Sequence, residues 1–182
     1  MKYWENTRVP LFSTDECHEL CRLIDRNLHL YSEEGEEDVQ QGDGVYERIR
    51  KSDAILSTKV KERLEDVSVK SDILPDHYDV NHLWFLTRYP TGGYIKPHFD
   101  GTTTSEDGTS VLTLLVYLND DFTGGRTLFL DDYLGDTCDD HKITDAVVPR
   151  KGHGLLLRQD VLHVTEPVIG TKYMLRTDIM VR

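Results

Sequence analysis

The chain has 182 residues, 38% hydrophobic content and a formal net charge of −12, with a sequence pI near 5.0. That is enough material for one domain with its own core, while the excess of acid disfavours a protein that grips phosphate backbones. With no run approaching the roughly 18 apolar residues of a membrane span and no apolar leader, neither nucleic acid nor a membrane is an expected partner. Three cysteines, Cys17, Cys21 and Cys138, are an odd number. No disulfide framework is indicated, and a reducing, cytoplasmic setting is expected.

Taken in order, Ser13-Thr14-Asp15-Glu16 supplies hydroxyl and acidic groups ahead of Leu20, Leu23, Ile24 and Leu28, which predicts a helix over 14–30. The run from Ser32 to Gly44 is acidic, bears glycine and lacks apolar residues, so a loop is expected. Residues 45–50 alternate weakly as a short strand. Ser52 or Asp53 then caps a second helix with Ile55, Leu56, Val60, Leu64 and Val67 on one face.

From His82 the pattern changes to short strands between turn signals: 82–89, 95–99, 111–118, 127–130, 146–148, 154–157, 163–167 and 172–181. A second polar loop is expected over 133–145. The spacing predicts an antiparallel sandwich or barrel: mainly β with N-terminal helices, a single domain over 1–182 with helical support in 1–80 and a β core in 81–182.

The chemistry is concentrated in Tyr89-Pro90-Thr91-Gly92-Gly93-Tyr94-Ile95-Lys96-Pro97-His98-Phe99-Asp100. Two residues apart on a strand means one face, so His98 and Asp100 can take neighbouring positions on one divalent metal. A His-x-Asp pair arises about once by chance in such a chain, and a second one, His77-Tyr78-Asp79, follows a turn-like Pro75-Asp76 and reads as a surface loop. The third ligand must come from downstream. His141 sits in an acidic loop and His153 in a glycine turn, whereas His163 starts a strand and can turn its ring into a barrel. Further along, Lys172, Met174, Arg176 and Asp178 share one strand face. A cation inside a barrel is costly without an anion; here that anion would be the far carboxylate of a chelating co-substrate.

These segments, together with Thr113 to Asn119, Gly124-Gly125-Arg126-Thr127-Leu128-Phe129, Val148 to Gly152, His163 and Gly170-Thr171-Lys172-Tyr173, resemble the prolyl 4-hydroxylase branch of the iron(II)/2-oxoglutarate oxygenases. The similarity runs from about Arg50 to Asp178. It implies a double-stranded β-helix, or jelly-roll, with helices packed on one sheet. It also implies His98, Asp100 and His163 as iron ligands, and Lys172 on the 2-oxoglutarate C5 carboxylate with help from the hydroxyls of Tyr89 and Thr127. Arg50-Lys51-Ser52 resembles the family's Arg-x-Ser segment, which makes Arg50 a candidate to bind a peptide carbonyl.

Two departures stand out. One extra residue separates Tyr94 from His98, as a bulge would accommodate. Arg176 shares the face of Lys172, so the carboxylate is met by Lys172, by Arg176, or by Lys172 with Arg176 paired to Asp178; Lys172 is preferred.

The resemblance implies iron(II), 2-oxoglutarate and dioxygen, with ascorbate as an accessory. It also implies hydroxylation coupled to conversion of the keto acid to succinate and CO2. Peptidyl proline is the expected substrate, with a free amino acid or small metabolite as the alternative; specificity is assigned to loops 32–44 and 101–109. A cupin-like metal enzyme has little use for Lys172 and Thr127, and a non-catalytic module has little use for an intact triad.

Overall fold

The computed structural model describes residues 8–34, 44–66, 73–106, 108–131, 139 and 141–182. Most of the acidic run 32–44, Val67 and most of 132–140 lie outside the described residues. No described helix is long and apolar enough to cross a membrane.

Helix α1 spans Thr14–Glu34 and begins with a reciprocal capping box, the Ser13 amide donating to Glu16 Oε2 at 2.9 Å and the Glu16 amide to Ser13 Oγ at 3.3 Å. Helix α2, Ala54–Asp66, is capped by Asp53, whose Oδ1 accepts the Leu56 amide at 2.9 Å. Ile55 does not belong to the buried face as expected: it is 83% exposed. One step along a helix turns about 100°, and Leu56, Val60 and Leu64 define the packed face without it.

Among the described residues the strands are β1 (Arg8–Pro10), β2 (Gly44–Val45), β3 (Glu47–Ser52), β4 (Asp79–Val80), β5 (Leu83–Tyr89), β6 (Tyr94–His98), β7 (Thr104–Ser105), β8 (Gly108–Tyr117), β9 (Thr123–Gly124), β10 (Thr127–Leu130), β11 (Ile143–Val147), β12 (His153–Arg158), β13 (His163–Thr165), β14 (Val168–Ile169) and β15 (Lys172–Val181). The expected helical support over 1–80 therefore carries strands as well. The expected loop over 133–145 gives way to β11 from Ile143, paired with β10.

A major sheet runs β1-β12-β8-β15-β5-β3, with β4 against β15 and β7 against β8; a minor sheet runs β11-β10-β13-β6-β2. The described pairings are antiparallel. The result is a jelly-roll with helices on the outer face of the major sheet.

That layering places one core on each face of the major sheet, with a smaller cluster of Leu128, Leu130, Leu162 and Val164 besides. Helix residues such as Cys17, Ile24, Val60 and Leu64 pack with Trp84, Leu86, Leu175 and Ile179 outside the major sheet, while Tyr89, Leu115, Phe129, Leu157 and Met174 fill the space between sheets. Both faces of the major sheet are covered, which is why Leu112 to Leu118 is buried without interruption. Along β15 the alternation divides the strand: Leu175 and Ile179 go to the helices, while Lys172, Met174, Arg176 and Asp178 face the inter-sheet space.

Candidate metal centre

In the minor sheet, β6 and β13 are antiparallel neighbours with His98 directly opposite His163, and Thr165 opposite Ile95. Three steps on β6 thus oppose two on β13, a bulge at Lys96-Pro97 that absorbs the extra residue and turns the end of β6. The two imidazole centroids are 4.3 Å apart. Asp100, one residue past Phe99, closes the group: its Oδ1 is 3.8 Å from His98 Nε2 and its Oδ2 is 3.7 Å from His163 Nε2.

Both rings are oriented in the same way. His98 Nδ1 lies 2.8 Å from the Lys96 carbonyl and His163 Nδ1 lies 3.0 Å from the Val161 carbonyl. A carbonyl only accepts, so each Nδ1 carries the hydrogen and each Nε2 presents a lone pair. Donors about 2.1 Å from one divalent ion stand about 3 to 4 Å from each other, and the three donor atoms lie within 4.8 Å of one another. Asp100 Oδ2 is buried without a hydrogen-bond partner, a cost that a cation would remove. The donor set fits a divalent metal.

Electrostatics favour the ligating protonation states. Burial, reinforced by His163, pushes the His98 imidazole down to about 4. Burial alone would raise the Asp100 carboxyl, but His163 and Arg176 outweigh it and hold the group below the ordinary aspartate range. Neutral imidazole and carboxylate are the forms a metal needs.

On the facing major sheet, Arg176, with its side chain 16% exposed, places Nη2 3.2 Å from Asp100 Oδ1 and 3.4 Å from Asp178 Oδ1. Behind Asp178 stand Gln159 Nε2 at 3.4 Å and, on Gln159 Oε1, the Ser110 hydroxyl at 3.1 Å. Burial raises Asp178, with Arg176 opposing.

Four residues back from Arg176 along β15, Lys172 is 0% exposed. Its Nζ donates to the Gly125 carbonyl at 2.7 Å and lies 5.1 Å and 5.4 Å from the rings of Tyr89 and Tyr117. Burial pulls the ammonium down to about 7, against the pull of Glu166. The Tyr117 hydroxyl and Thr127 Oγ1 are bonded at 2.8 Å. Gly125 has φ 64°, and a Cβ there would stand 2.8 Å from Phe122 Cε2 and 3.3 Å from Lys172 Cδ. Glycine is needed at this turn both for the backbone and to keep the ammonium's chamber open.

The structure therefore gathers Lys172, Tyr89 and Thr127 at one end of the inter-sheet space and the His98, Asp100 and His163 group in front of it. Arg50 lies on β3, exposed, with its guanidinium 5.6 Å from the Phe85 ring. His77 and Asp79 stay outside: His77 is exposed and Asp79 pairs with Lys61 at 2.8 Å. Among the described residues, the one group of three metal-ligating side chains is His98, Asp100 and His163, without His141 or His153.

A cleft of about 610 Å³ opens on Asp100, lined also by Phe99, Thr102, Ser110 and Gln159. Phe99, 55% exposed between His98 and Asp100, gives it an aromatic wall. The supporting roles of Ser110, Gln159 and Asp178 escape sequence reading, because a hydroxyl or amide in a strand has no periodic mark; only the shared face of Asp178 with Arg176 hints at one.

Two sheets enclosing a His-x-Asp pair and a distal histidine, with a buried cation behind them, define a jelly-roll metal oxygenase. The sequence matches the 2OG-Fe(II) oxygenase superfamily over residues 84–177, more than half the chain. The protein belongs to this family of iron(II)- and 2-oxoglutarate-dependent dioxygenases.

Several solved structures share the fold. A viral collagen prolyl hydroxylase from Paramecium bursaria Chlorella virus-1, in complex with 2-oxoglutarate, is 20% identical with a TM-score of 0.65, over 100% of this chain and 97% of that one. A Pseudomonas putida prolyl-4-hydroxylase is 14% identical with a TM-score of 0.58, over 96% and 91%. A Trichoplax adhaerens prolyl hydroxylase in complex with a hypoxia inducible factor peptide fragment is 15% identical with a TM-score of 0.56, over 96% and 84%. No curated protein sequence matches the chain significantly.

Proposed function

We propose that this chain is a prolyl 4-hydroxylase acting on peptidyl proline, with residues 1–182 forming one oxygenase unit in the cytoplasm. His98, Asp100 and His163 hold iron(II), and Lys172 binds the C5 carboxylate of 2-oxoglutarate beside Tyr89 and Thr127. The observation that carries this reading is the buried Lys172 ammonium, whose described acceptor is the neutral Gly125 carbonyl, on the same inter-sheet face as a metal-ready triad. A buried cation calls for an anion, and a dicarboxylate chelating the metal reaches toward it.

Iron(II) and 2-oxoglutarate, when bound, supply the oxidation: dioxygen gives one oxygen atom to a C–H bond and one to the keto acid, which leaves as succinate and CO2. The protein's own residues do the rest. The Lys96 and Val161 carbonyls fix the imidazoles, and Arg176 restrains Asp100 against Asp178. The paired hydroxyls of Tyr117 and Thr127 line the chamber that holds the co-substrate away from water.

A peptide substrate is supported by the open cleft at Asp100, by Arg50 exposed on the inter-sheet face of β3, and by relatives of the same fold described as collagen prolyl hydroxylase or seen with a peptide. The test is turnover with iron(II), 2-oxoglutarate and a panel of proline-containing peptides and free proline, with and without ascorbate. Release of succinate with a gain of about 16 Da on a peptide is the expected result. Oxidation of free proline with no peptide modified would overturn the peptide assignment.

A further inference from the structure

We propose that Arg48, on the inter-sheet face of β3, is an anion receptor, so that the substrate is recognised by a carboxylate in addition to the carbon it presents for oxidation. This rests on the oxygenase reading and sharpens its substrate class. The argument begins with alternation on β3: Glu47 turns outward to Arg88 and Ile49 packs with the helices, which leaves Arg48 and Arg50 on the inter-sheet face. There, Arg50, Phe85 and Arg176 form one row across three strands, while Arg48 sits opposite Thr87 in the next.

Three guanidinium groups surround the Phe85 ring, those of Arg176, Arg48 and Arg50 at 5.1, 5.4 and 5.6 Å from its centroid. Their circumstances differ. Arg176 is already met by Asp100 and Asp178. Arg48 is half-buried, stacked between Phe85 and the Tyr46 ring at 4.4 Å. Its Nε is buried with no acceptor, and among the described residues no carboxylate forms an ion pair with it.

In a chain with 33 acidic residues, an inward arginine without an acid is not explained as a structural ion pair. A buried N–H without an acceptor is costly. The Tyr46 and Phe85 rings position the guanidinium, whose planar set of N–H donors matches a carboxylate with two parallel hydrogen bonds. The co-substrate is not the anion in question, because its two carboxylates are committed to the metal and to Lys172. The matching group belongs to the substrate, as an acidic side chain near the proline or as the α-carboxylate of a free amino acid.

The test uses the full chain loaded with zinc(II), which does not turn over, and 2-oxoglutarate. The Arg48 Nε–H nitrogen-15 resonance is followed during titration with blocked Glu-Gly-Pro-Gly-Glu against its Gln counterpart, and with L-proline against L-prolinamide. The expected result is a saturable shift of that resonance, with one acid probe binding at least tenfold tighter than its amide partner. Preference within the peptide pair identifies a side-chain carboxylate, and preference confined to proline identifies the α-carboxylate. In Arg48→Gln the preference falls to within twofold, and Arg48→Lys retains part of it. Equal binding of acid and amide in both pairs, or a preference that survives in Arg48→Gln, overturns the proposal. Failure of the prolyl-hydroxylase reading shows separately, as absence of the 16 Da gain during turnover with iron(II).

Discussion

Lys172 is the residue at which packing and chemistry conflict most openly, a fully buried ammonium facing one carbonyl and two tyrosine rings. Its proton is held to about 7 in the folded chain against 10.5 when exposed. Between those values the unfolded state binds more protons, so this group's penalty is full below about pH 7 and relaxes as pH rises. A bound dianion reverses the preference by stabilising the ammonium. Affinity for 2-oxoglutarate, measured by equilibrium dialysis with zinc(II), is therefore expected to fall above about pH 7, by up to about tenfold per pH unit. Lys172→Met flattens that dependence and weakens binding by about 30-fold to several-thousandfold, as loss of a desolvated charge pair does; a pH profile unchanged in this variant would refute the assignment. Arg176→Ala has a different signature. It releases Asp100 and strands Asp178, so metal affinity drops about 10- to 100-fold while the 2-oxoglutarate requirement moves less than in Lys172→Met. Isothermal titration of manganese(II) into the variant reads this directly.

Elements whose pattern is local were legible: α1 from its capping box, α2 from its apolar stripe, and the long strands from turn residues on either side. The β6 bulge was also legible, because an extra residue between Tyr94 and His98 has to go somewhere in an antiparallel pair. The strands β1, β4 and β7 were not, since two or three residues take their conformation from the neighbour they lie beside. Ile55 was misplaced because an apolar residue next to a capped turn looks like core until the helix is rotated against a sheet. Glu16 shows how one local signal also fixes tertiary structure: besides closing the cap, its carboxylate takes Arg63 Nη1 at 3.0 Å and Nη2 at 2.7 Å and pairs with Lys59, joining α1 to α2. The Arg63 hydrogen bonds, against an opposing cost of burial, hold it well below its ordinary 4.5. Its contribution is full above that value and is lost as pH falls through the folded one. With a quarter of the side chain exposed, Glu16→Gln is expected to cost about 1–2 kcal/mol at pH 7. Urea melts of the two proteins should converge as the pH is lowered below about 4, and a gap that widens in acid would contradict the account.

At the scale of the whole molecule, the candidate site is an assembly of distant segments: two proposed ligands at and just past the end of β6, the third on β13, the cation on β15 and its glycine turn before β10. The order of motifs made this legible, because Lys172 and Arg176 share a face at any register, whereas the preference proposed for Lys172 draws on the opposing sheet. Only there does Asp100 claim Arg176 and leave Lys172 alone in its chamber. Since the ligands are 65 residues apart at the extremes and no metal site survives in an extended chain, metal binding is coupled to folding. A ligand at 100 times its dissociation constant stabilises the native state by about 2.7 kcal/mol, which for a chain of this size corresponds to roughly 5–10 °C in Tm. Manganese(II) is expected to raise the melting temperature of the parent by this amount and to leave that of His163→Ala nearly unmoved. His77→Ala, altering the other His-x-Asp pair, should respond as the parent does, because His77 is exposed and Asp79 is held by Lys61. An equal metal-induced shift in His163→Ala and the parent would place the metal elsewhere.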